Sequence, residues 1–544
     1  MLKCTVLSSM AKVFADEKLN NRPIQKLSIL KNERTSFQTA LYYEDKSDLS
    51  VEIQVKSTLA DKIHIYTVES IPSALPAPND HDDYFLSTEP GQFPDLLRPL
   101  ESPFLLKTKQ MQSVWFELDP DGESEAREHP VEINFISNGK VICSACVVIE
   151  IINAALPAQT LIHTNWFHTD CLATWYKTEV FSEEYWRIVE NYIKNAVHHG
   201  INFILTPLFT PPLDTQQGGE RPTVQLVEVT REGEQYSFNF DNLKRWVDIC
   251  NRCGVKYFEM SHLFSQWGAK HAPKVEAVVD GKRVKLFGWK TWAASKKYTG
   301  FLTEFAAALN LFIDENGIKE RCFFHVSDEP NLSQYNDYKK RSLFVEKLFP
   351  DFPVIDALSD FKFYSKGAVK IPIPANNHIE PFIGKVPELW TYYCCGQYKN
   401  YVSNRFFAMP SQRNRVLGFQ LYKYDVKGFL QWGHNFWYSQ YSVREINPFE
   451  ESDAGKAFPS GDAYVVYPGD DGTPLNSLRL KVFYDALQDM RALQLLESFV
   501  GKEKTLALLE EGLSEPITFT SYPRSEDWHL AKREQINMEI KKLI

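Results

Sequence analysis

At 544 residues the chain is several times longer than a single hydrophobic core usually needs, so its length predicts at least two domains. Hydrophobic residues make up 44% and charged residues 24%, which excludes extensive disorder. A formal net charge of −10 does not supply the basic stripe that phosphate backbones or anionic lipids require, so nucleic acids and membrane surfaces are excluded as partners.

The N-terminal residues, MLKCTVLSSMAKVFADE, lack the continuous apolar segment of a signal peptide and predict a first strand. No window approaches about 20 uninterrupted apolar residues, so no transmembrane helix is expected. The nine cysteines include one C-x-x-C pair, Cys250 and Cys253, and the adjacent Cys394 and Cys395. Without a second pair or matched histidines they predict no zinc site. We therefore expect reduced thiols in a cytoplasmic protein, with no metal or organic cofactor.

Short alternating apolar runs, separated by turn residues, fill the first part of the chain. Six or more such strands without amphipathic helices predict an all-β sandwich domain over residues 1–153. The clearest runs are 35–43, 51–55, 63–68, 114–118, 131–136 and 141–152.

The spacing of apolar residues becomes helical after Pro157. Residues 181–199 read FSEEYWRIVENYIKNAVHH, with Ser182 as the N-cap and Gly200 just past the end. An apolar run at 201–205 follows at once, and strand-like and helix-like segments alternate from there on.

Eight strand candidates in this part predict a (β/α)8 TIM-like barrel over 154–500, preceded by the sandwich. An open doubly wound sheet would more often show an early glycine-rich phosphate loop. The strand candidates are 162–167, 201–205, 255–260, 322–327, 353–357, 370–373, 389–393 and 416–421. The helix candidates include 241–253, 296–316, 334–349 and 478–499, and a helical tail is expected over 501–544.

The fourth strand candidate continues into CFFHVSDEP at 322–330. Catalytic groups of a barrel lie at the carboxyl ends of its strands. Two adjacent carboxylates repel, so one should keep a proton and act as an acid while the other stays charged. Asp328 and Glu329 are therefore candidate catalytic residues, and Pro330 favours an extended Glu329. A salt bridge or a helix cap is the alternative, because Asp-Glu also occurs at 16–17 and 314–315.

Aromatic residues make up 14% of the chain, which fits either an aromatic-rich core or sugar binding by stacking on rings. Ordered motifs extend over most of the sequence. They are NERTSFQ (32–38), PGQFPDLLRPL (90–100), HVSDEP (325–330), LWTYYCCG (389–396), GFLQWGHNFW (428–437) and a late YPG…SLRL…DALQDMRALQLL stretch (467–496). On these motifs the sequence resembles glycoside hydrolase family 123, the β-N-acetylgalactosaminidases, and a related group of uncharacterised domains.

The resemblance implies a β-sandwich followed by a (β/α)8 barrel, and retaining catalysis assisted by the substrate. Asp328 would polarise the 2-acetamido group, whose carbonyl oxygen attacks the anomeric carbon. Glu329 would protonate the leaving oxygen and later activate water against an oxazoline intermediate.

Candidate sugar contacts lie at other strand ends, with His325 on the same strand as the pair, and core packing or a satisfied buried hydrogen bond is the alternative for each. They are Asn165, Trp166, His262, His325, Trp390, Tyr392, Tyr393, Trp432, Asn435 and Trp437, with Arg479 as a further polar candidate. Strand alternation places Trp390 and Tyr392 on one face and Tyr393 on the other.

The expected function is therefore removal of a terminal β-linked N-acetylgalactosamine, or a related 2-acetamido sugar, from a glycan substrate. A glycosidase acting on a non-acetamido sugar is one alternative, and a non-catalytic carbohydrate-binding protein is the other. The Asp328–Glu329 pair disfavours a binding protein, since binding alone needs no repelling carboxylates. The sugar epimer, the aglycone and the oligomeric state stay open.

Overall fold

The computed structural model of the protein describes residues 1–544. The first 152 residues form strands and no α-helix. These strands are β1 (Leu2–Ser8), β2 (Lys26–Leu30), β3 (Thr35–Tyr43), β4 (Leu49–Lys56), β5 (Ile63–Ser73), β6 (Gly91–Pro99), β7 (Phe104–Leu106), β8 (Met111–Leu118), β9 (Glu128–Ser137) and β10 (Lys140–Ile152). All six predicted runs lie in strands, and the expected first strand is β1.

The ten strands form two sheets that share an apolar core. In one sheet the order is β1, β3, β8, β5 and β6, and in the other it is β2, β10, β9, β4 and β7. Phe37 of β3 stacks on Phe116 of β8 with ring centroids 5.1 Å apart. Both rings are buried in one cluster with Val51, Phe135 and Val147 of the second sheet.

The longest strand that the sequence does not predict, β6, contains two prolines. Its sequence GQFPDLLRP argues against a paired strand, because proline cannot donate to the ladder. A register shift between Glu69 and Ser70 of β5 accommodates Pro94 opposite Ser70. The strand therefore forms through a bulge that short-range sequence patterns do not reveal.

Cys4 on β1 and Cys143 on β10 are joined by a disulfide, with their Cα atoms 6.6 Å apart. The expectation of reduced thiols is wrong for this pair. A separation of 139 residues leaves no spacing signal, and only the packing of β1 against β10 brings the two together. The other seven cysteines are free. The cytoplasmic location stays a prediction.

After residue 153, strands alternate with helices as the sequence predicts. The strands are β11 (Ile162–Asn165), β12 (Phe203–Thr206), β13 (Glu228–Glu232), β14 (Gln235–Asn239), β15 (Tyr257–Met260), β16 (Val275–Val279), β17 (Lys282–Phe287), β18 (Cys322–Phe324), β19 (Ile355–Ala357), β20 (Ile371–Ile373), β21 (Trp390–Tyr392), β22 (Gly428–Gln431), β23 (Val466–Pro468) and β24 (Pro474–Ser477). The helices are α1 (Thr169–Trp175), α2 (Glu183–His198), α3 (Asp241–Cys253), α4 (Lys296–Glu315), α5 (Tyr335–Leu348), α6 (Lys362–Ser365), α7 (Ser411–Arg415), α8 (Leu417–Lys423), α9 (Leu478–Val500), α10 (Lys502–Leu509) and α11 (Glu526–Leu543).

Two parallel sheets form the centre of this part. One has the order β18, β15, β12, β11, β22 and β21, and the other pairs β19 with β20. Single parallel bridges, Phe324–Val354 and Ala375–Tyr392, link the two sheets at both edges. Seven of the eight predicted strands coincide with these elements. A separate four-stranded sheet, β14-β13-β16-β17, comes from the segments that follow β12 and β15.

The predicted strand at 416–421 is wrong, because these residues belong to helix α8 and the eighth strand is β22. All residues from Leu417 to Tyr422 are buried, so the segment has no exposed polar face and shows no helical period. Gly418 lets α8 pack closely on α9, since a Cβ there would lie 2.0 Å from the carbonyl oxygen of Ala486.

The predicted helices are present. The last two strands, β23 and β24, join a sheet of the N-terminal half. Helix α2 begins after Ser182, whose side chain accepts a hydrogen bond from the amide of Tyr185. Strand β24 pairs with β6, and β23 and β24 thereby complete a seven-stranded sheet. This sheet crosses the predicted division into 1–153, 154–500 and 501–544, which stays a prediction. No helix has the length and apolar character needed to span a lipid bilayer.

Candidate active site

A cavity of about 150 Å³ opens beside the carboxyl ends of the parallel strands. This edge is where open α/β sheets bind their ligands. The cavity is lined by Trp166, Leu213, Asp214, Gln266, Trp267, Asp328, Glu329, Ala357, Tyr392, Cys394, Cys395, Leu430, Trp432, Gln440, Tyr441 and Phe458. Both predicted carboxylates are among these residues.

Asp328 and Glu329 reach one cavity because the backbone turns sharply between them. Glu329 has a φ of 44°, in the left-handed region that costs a non-glycine residue about 1 kcal/mol. Its amide donates to the carbonyl oxygen of Ala357 at 3.0 Å, and the amide of Trp267 donates to the carbonyl oxygen of Asp328 at 2.9 Å. The predicted extended Glu329 is wrong. These hydrogen bonds hold a turn that leaves Glu329 exposed and Asp328 buried.

Asp328 is a buried carboxyl group with a single side-chain donor. Gln266 Nε2 donates to Asp328 Oδ2 at 2.8 Å, and Gln266 Oε1 accepts from the amide of Asp214 at 2.6 Å. Burial, with the nearby charge of Glu329, raises the pKa of Asp328 well above its ordinary value of 3.8. The free site therefore favours neutral Asp328, and a ligand that brings a hydrogen-bond donor would favour the carboxylate.

Glu329 is the solvent-facing member of the pair. Its Oε1 accepts a hydrogen bond from the hydroxyl of Tyr392 at 2.5 Å. Burial and the charge of Glu329 raise the pKa of Tyr392 well above 10, so the tyrosine remains a donor. The contact holds one carboxylate oxygen in place, while the other is available to a ligand.

A buried ion cluster lies behind the pair. His325 Nε2 contacts Glu259 Oε1 at 2.6 Å, and His325 Nδ1 contacts Asp356 Oδ1 at 3.1 Å. Burial opposes the charge on His325, but hydrogen bonds to Asp356 and Glu259 raise its pKa to about 9. Glu259 also accepts from Trp166 Nε1 at 2.8 Å, and Asp356 accepts from the amide of Ser327 at 3.3 Å. The cluster thus fixes both a wall of the cavity and the backbone leading to Asp328.

His262, His325 and Asp356 place ligand atoms within 4.8 Å of one another, a spacing that would suit a metal ion. A protonated His325 has no lone pair to offer, because both of its ring nitrogens donate to carboxylates. His262 stacks on His325 with ring centroids 4.3 Å apart, and neither of its nitrogens has a hydrogen-bond partner. Burial lowers the pKa of His262 well below 6.5. His325 and Asp356 therefore form an ion pair, and the neutral ring of His262 covers it.

Three further predicted contacts line the cavity, namely Trp166, Tyr392 and Trp432. The indole of Trp432 donates to Asp462 Oδ2 at 2.8 Å, as that of Trp166 does to Glu259, so both rings are held from behind. The predicted His262 and His325 lie one layer further in. The structure therefore brings these five side chains together around the carboxylates.

The remaining aromatic candidates belong to the core. Trp390 is fully buried and covers Gly428, where a Cβ would lie 2.0 Å from the indole. Tyr393 follows β21, packs in a different cluster from Trp390, and donates to Asn414 Oδ1 at 3.1 Å. Trp437 packs against other buried rings and donates to a backbone carbonyl.

The polar candidates are engaged in structural contacts. Asn165 Oδ1 accepts from a buried arginine at 3.2 Å. Asn435 bridges both the amide and the carbonyl of His168, at 2.9 and 3.0 Å. Arg479 forms a buried bidentate pair with Asp95 of β6. None of the three lines the cavity, because hydrogen bonds within the core occupy their side chains.

Several lining residues are absent from the sequence prediction. Gln266 and Trp267 follow β15 in the loop HLFSQWG, so applying the strand-end rule further into that loop would have found them. Asp214 and Tyr441 lie in irregular segments that carry no sequence signal. Burial raises the pKa of Asp214 to about 6, and its Oδ2 accepts from the amide of Tyr441 at 3.0 Å.

Comparison with known proteins gives a family match over part of the chain and a structural match over all of it. A model of the glycoside hydrolase 123 catalytic domain matches residues 166–496. The structure is similar to a family 123 glycoside hydrolase from Clostridium perfringens, studied for glycolipid glycan hydrolysis, with a TM-score of 0.76 and 13% identity over 100% of this chain and 98% of that one. A sequence search of curated proteins gives no match.

Two family 5 hydrolases also align, with lower scores. A xyloglucanase from Bacteroides ovatus has a TM-score of 0.27 and 8% identity over 85% of this chain and 98% of that one. A mannosidase from Rhizomucor miehei has a TM-score of 0.32 and 11% identity over 66% and 95%.

Proposed function

The chain belongs to glycoside hydrolase family 123, and on that basis we propose that it is a retaining enzyme that removes a terminal β-linked N-acetylgalactosamine, or a related 2-acetamido sugar, from a glycan. One observation carries the proposal. Two adjacent carboxyl groups, buried Asp328 and exposed Glu329, face the same cavity in contrasting surroundings.

In the proposed mechanism the substrate supplies its own nucleophile. The acetamido carbonyl oxygen forms a bond to the anomeric carbon as the bond to the leaving oxygen breaks, which gives an oxazolinium ion. Ionised Asp328 accepts a hydrogen bond from the acetamido N–H and stabilises the positive charge that develops. Because the acetamido group is held beside the reacting carbon, no enzyme nucleophile is needed, and the usual carboxylate-separation rule does not apply.

Glu329 supplies a proton and takes one back. When the acetamido N–H binds Asp328 and favours its carboxylate, the proton that Asp328 holds in the free site passes to Glu329, which then protonates the leaving oxygen in the first step. In the second step it removes a proton from the water that attacks the anomeric carbon, while the bond to the acetamido oxygen breaks. Each of the two steps inverts the configuration at the anomeric carbon, so the product has the same configuration as the substrate. The hydrogen bond from Tyr392 orients the carboxyl group, and its exposure gives water access.

For the fold, we propose that the two parallel sheets close into a (β/α)8 barrel behind a β-sandwich. The bridges Phe324–Val354 and Ala375–Tyr392 support closure, because they join the sheets at both edges. The apolar core shared by the two N-terminal sheets supports the sandwich.

Hydrolysis of nitrophenyl glycosides tests the proposed function. Wild type should cleave the β-linked N-acetylgalactosamine or N-acetylglucosamine substrate and leave the unmodified β-galactoside intact. Removing a positioned acid or an electrostatic contact typically costs about 10²- to 10⁴-fold, so Asp328→Asn and Glu329→Gln should each lower kcat/KM by that order. NMR of the first-formed sugar should show the β anomer.

The matched controls are Asp314→Asn and Glu315→Gln, which alter an exposed Asp-Glu pair at the end of α4. Both should retain wild-type activity. Cleavage of the galactoside at a similar rate would instead assign a glycosidase without an acetamido requirement. Sugar binding without cleavage would assign a carbohydrate-binding protein.

A further inference from the structure

Two adjacent cysteines line the cavity of the candidate active site and take no part in the proposed mechanism. Cys394 and Cys395 are both free thiols, and each is partly exposed at the cavity wall. Cys394 is the second residue after Tyr392, which donates to Glu329, so the pair lies beside the candidate catalytic carboxylates. Two reactive thiols therefore border the space that a substrate must enter.

The backbone of the pair is held by two buried amide side chains. Gln397 Oε1 accepts a hydrogen bond from the amide of Cys394 at 2.8 Å, and Asn404 Nδ2 donates one to the carbonyl oxygen of Cys394, also at 2.8 Å. Both amide side chains are buried. A Cβ at Gly396 would have no neighbour within 4 Å, so the turn that follows the pair is open. The thiols are thus fixed in position and accessible to a small reagent.

The two thiols are close enough to affect each other. The neighbouring Cys395 thiol, followed by burial, raises the pKa of Cys394 well above its ordinary value of 9.0. Cys394 therefore keeps its proton at neutral pH and reacts slowly with reagents that need a thiolate. A reagent that bonds to both sulfurs is less limited in this way, because formation of the two bonds drives the release of the protons.

The number of donors decides which soft element fits the pair. No His, Asp, Glu or further Cys completes a cluster of three ligands with the two thiols. Zn²⁺ takes about four protein ligands in a structural site and about three in a catalytic site, so two thiols are too few. Trivalent arsenic that carries one organic substituent has two remaining valences, and thiol sulfur is the kind of ligand that a soft element prefers.

The other free cysteines do not offer an accessible pair. Cys250 and Cys253 are three positions apart on α3, but Cys250 is fully buried. Cys171 and Cys322 are also buried, which leaves exposed Cys146 as a single thiol. A reagent that requires two thiols at the surface should therefore select the cavity wall.

We propose that Cys394 and Cys395 form a dithiol site that binds a monosubstituted trivalent arsenical, and that the bound group closes the cavity. The arsenic–oxygen bonds of the arsenoxide break and two arsenic–sulfur bonds form. The two thiol protons leave with the oxide oxygen as one water molecule, and arsenic stays trivalent, so no oxidant or reductant is needed. In a cavity of about 150 Å³, an organic group fixed to the wall takes space that a sugar needs. The site does not rest on the proposed function, and only the expected loss of activity does.

Intact-protein mass spectrometry with phenylarsine oxide, at one equivalent per protein, tests the site. Wild type should gain one phenylarsenic group less two hydrogens. The adduct should survive excess 2-mercaptoethanol but not 2,3-dimercaptopropanol, which offers a competing pair of thiols. Cys394→Ser and Cys395→Ser should each lose the adduct in 2-mercaptoethanol, whereas the control Cys253→Ser should keep it. An adduct that survives in either cavity variant, or that disappears in Cys253→Ser, would overturn the site.

Activity separates this inference from the proposed function. Treated wild type and treated Cys253→Ser should lose most of their cleavage of nitrophenyl β-N-acetylgalactosaminide, and 2,3-dimercaptopropanol should restore it. Treated Cys395→Ser should stay at its own untreated rate. Full activity in an enzyme that carries the adduct would overturn closure of the cavity. If untreated wild type cleaves no acetamido sugar while the adduct forms on the cysteine pair, the proposed function fails and the dithiol site stands.

Discussion

Residues in β21 and directly after it show how much of the site strand alternation alone predicts. Trp390 and Tyr392 pack in one cluster, and Tyr393 packs in another, as strand alternation predicts. Alternation does not indicate depth along the strand, so the same pattern selects Trp390 together with Tyr392. It begins the strand and covers Gly428, whereas Tyr392 ends it and reaches Glu329.

Tyr392 and Tyr393 are neighbours with different hydrogen-bond partners, so they give a matched pair of variants. Tyr392→Phe removes the hydrogen bond to Glu329, and hydrogen bonds to charged groups contribute about 1.5 to 3 kcal/mol, so kcat/KM should fall roughly 10- to 100-fold. Tyr393→Phe removes a hydroxyl that bonds only to Asn414, so kcat/KM should stay close to wild type. Equal losses in the two variants would argue against a role for Tyr392 in orienting Glu329.

The ion cluster predicts a pH dependence of stability. The pKa of His325 is about 9 in the folded protein against an ordinary value of 6.5. Below pH 6.5 both states carry the proton and the stabilisation is complete. As pH rises to 9 the unfolded chain loses its proton first, so the free energy of unfolding should fall by up to about 3 kcal/mol.

Denaturant unfolding at pH 6.5 and pH 9 measures this fall. His325→Gln should lose much less stability than wild type across the same interval. His262→Gln is the control, since burial lowers the pKa of His262 and keeps it neutral in the folded protein throughout this range. A wild-type pH dependence in His325→Gln would rule out the protonated His325.

Helices and strands whose apolar residues recur at a regular spacing are predicted from the sequence. Those whose conformation depends on tertiary contacts are not. Helices α3, α4 and α5 coincide with apolar residues at helical spacing. Helix α8 is buried on every side, so its sequence resembles an interior strand. Strand β6 pairs with β5 through a bulge in β6, where Asp95 is the extra residue next to Pro94. The missed elements are therefore the ones whose conformation depends on distant neighbours.

The same contrast separates the parts of the candidate active site. Asp328 and Glu329 follow a predictable strand, so the strand-end rule finds them. Asp214 and Tyr441 lie in irregular loops, and only the fold brings them to the opening. The sequence also does not predict the left-handed backbone at Glu329, because a residue before proline favours an extended conformation.

In the molecule as a whole, the N-terminal sheets and the C-terminal part are joined through β6. Strand β24 pairs with this strand, and Arg479 at the start of α9 binds Asp95 in its centre. Tyr467 of β23 donates to the same carboxylate at 2.5 Å. The N-terminal sheets are therefore part of one folded body with the antiparallel pair β23–β24 and α9.

Removing one charge of this buried pair should destabilise the protein. Asp95 and Arg479 are both almost fully buried, and breaking such a pair typically costs about 3 to 5 kcal/mol, so Asp95→Asn should lower the thermal midpoint clearly. Glu69→Gln is the matched control, because Glu69 pairs with Arg98 at the surface, where the cost is about 1 kcal/mol or less. Similar midpoints for the two variants would contradict a link between the halves.

The late completion of this sheet affects the growing chain on the ribosome. Roughly 375 residues separate β6 from β24, and at about 5 to 20 residues per second their synthesis takes roughly 20 to 75 s. Throughout that interval the edge of β6 lacks its partner, and open edges recruit strands from other chains. Pro94 and Pro99 leave β6 with fewer N–H groups to offer. We therefore expect the prolines that hide this strand in the sequence also to make its open edge a poorer template for other strands.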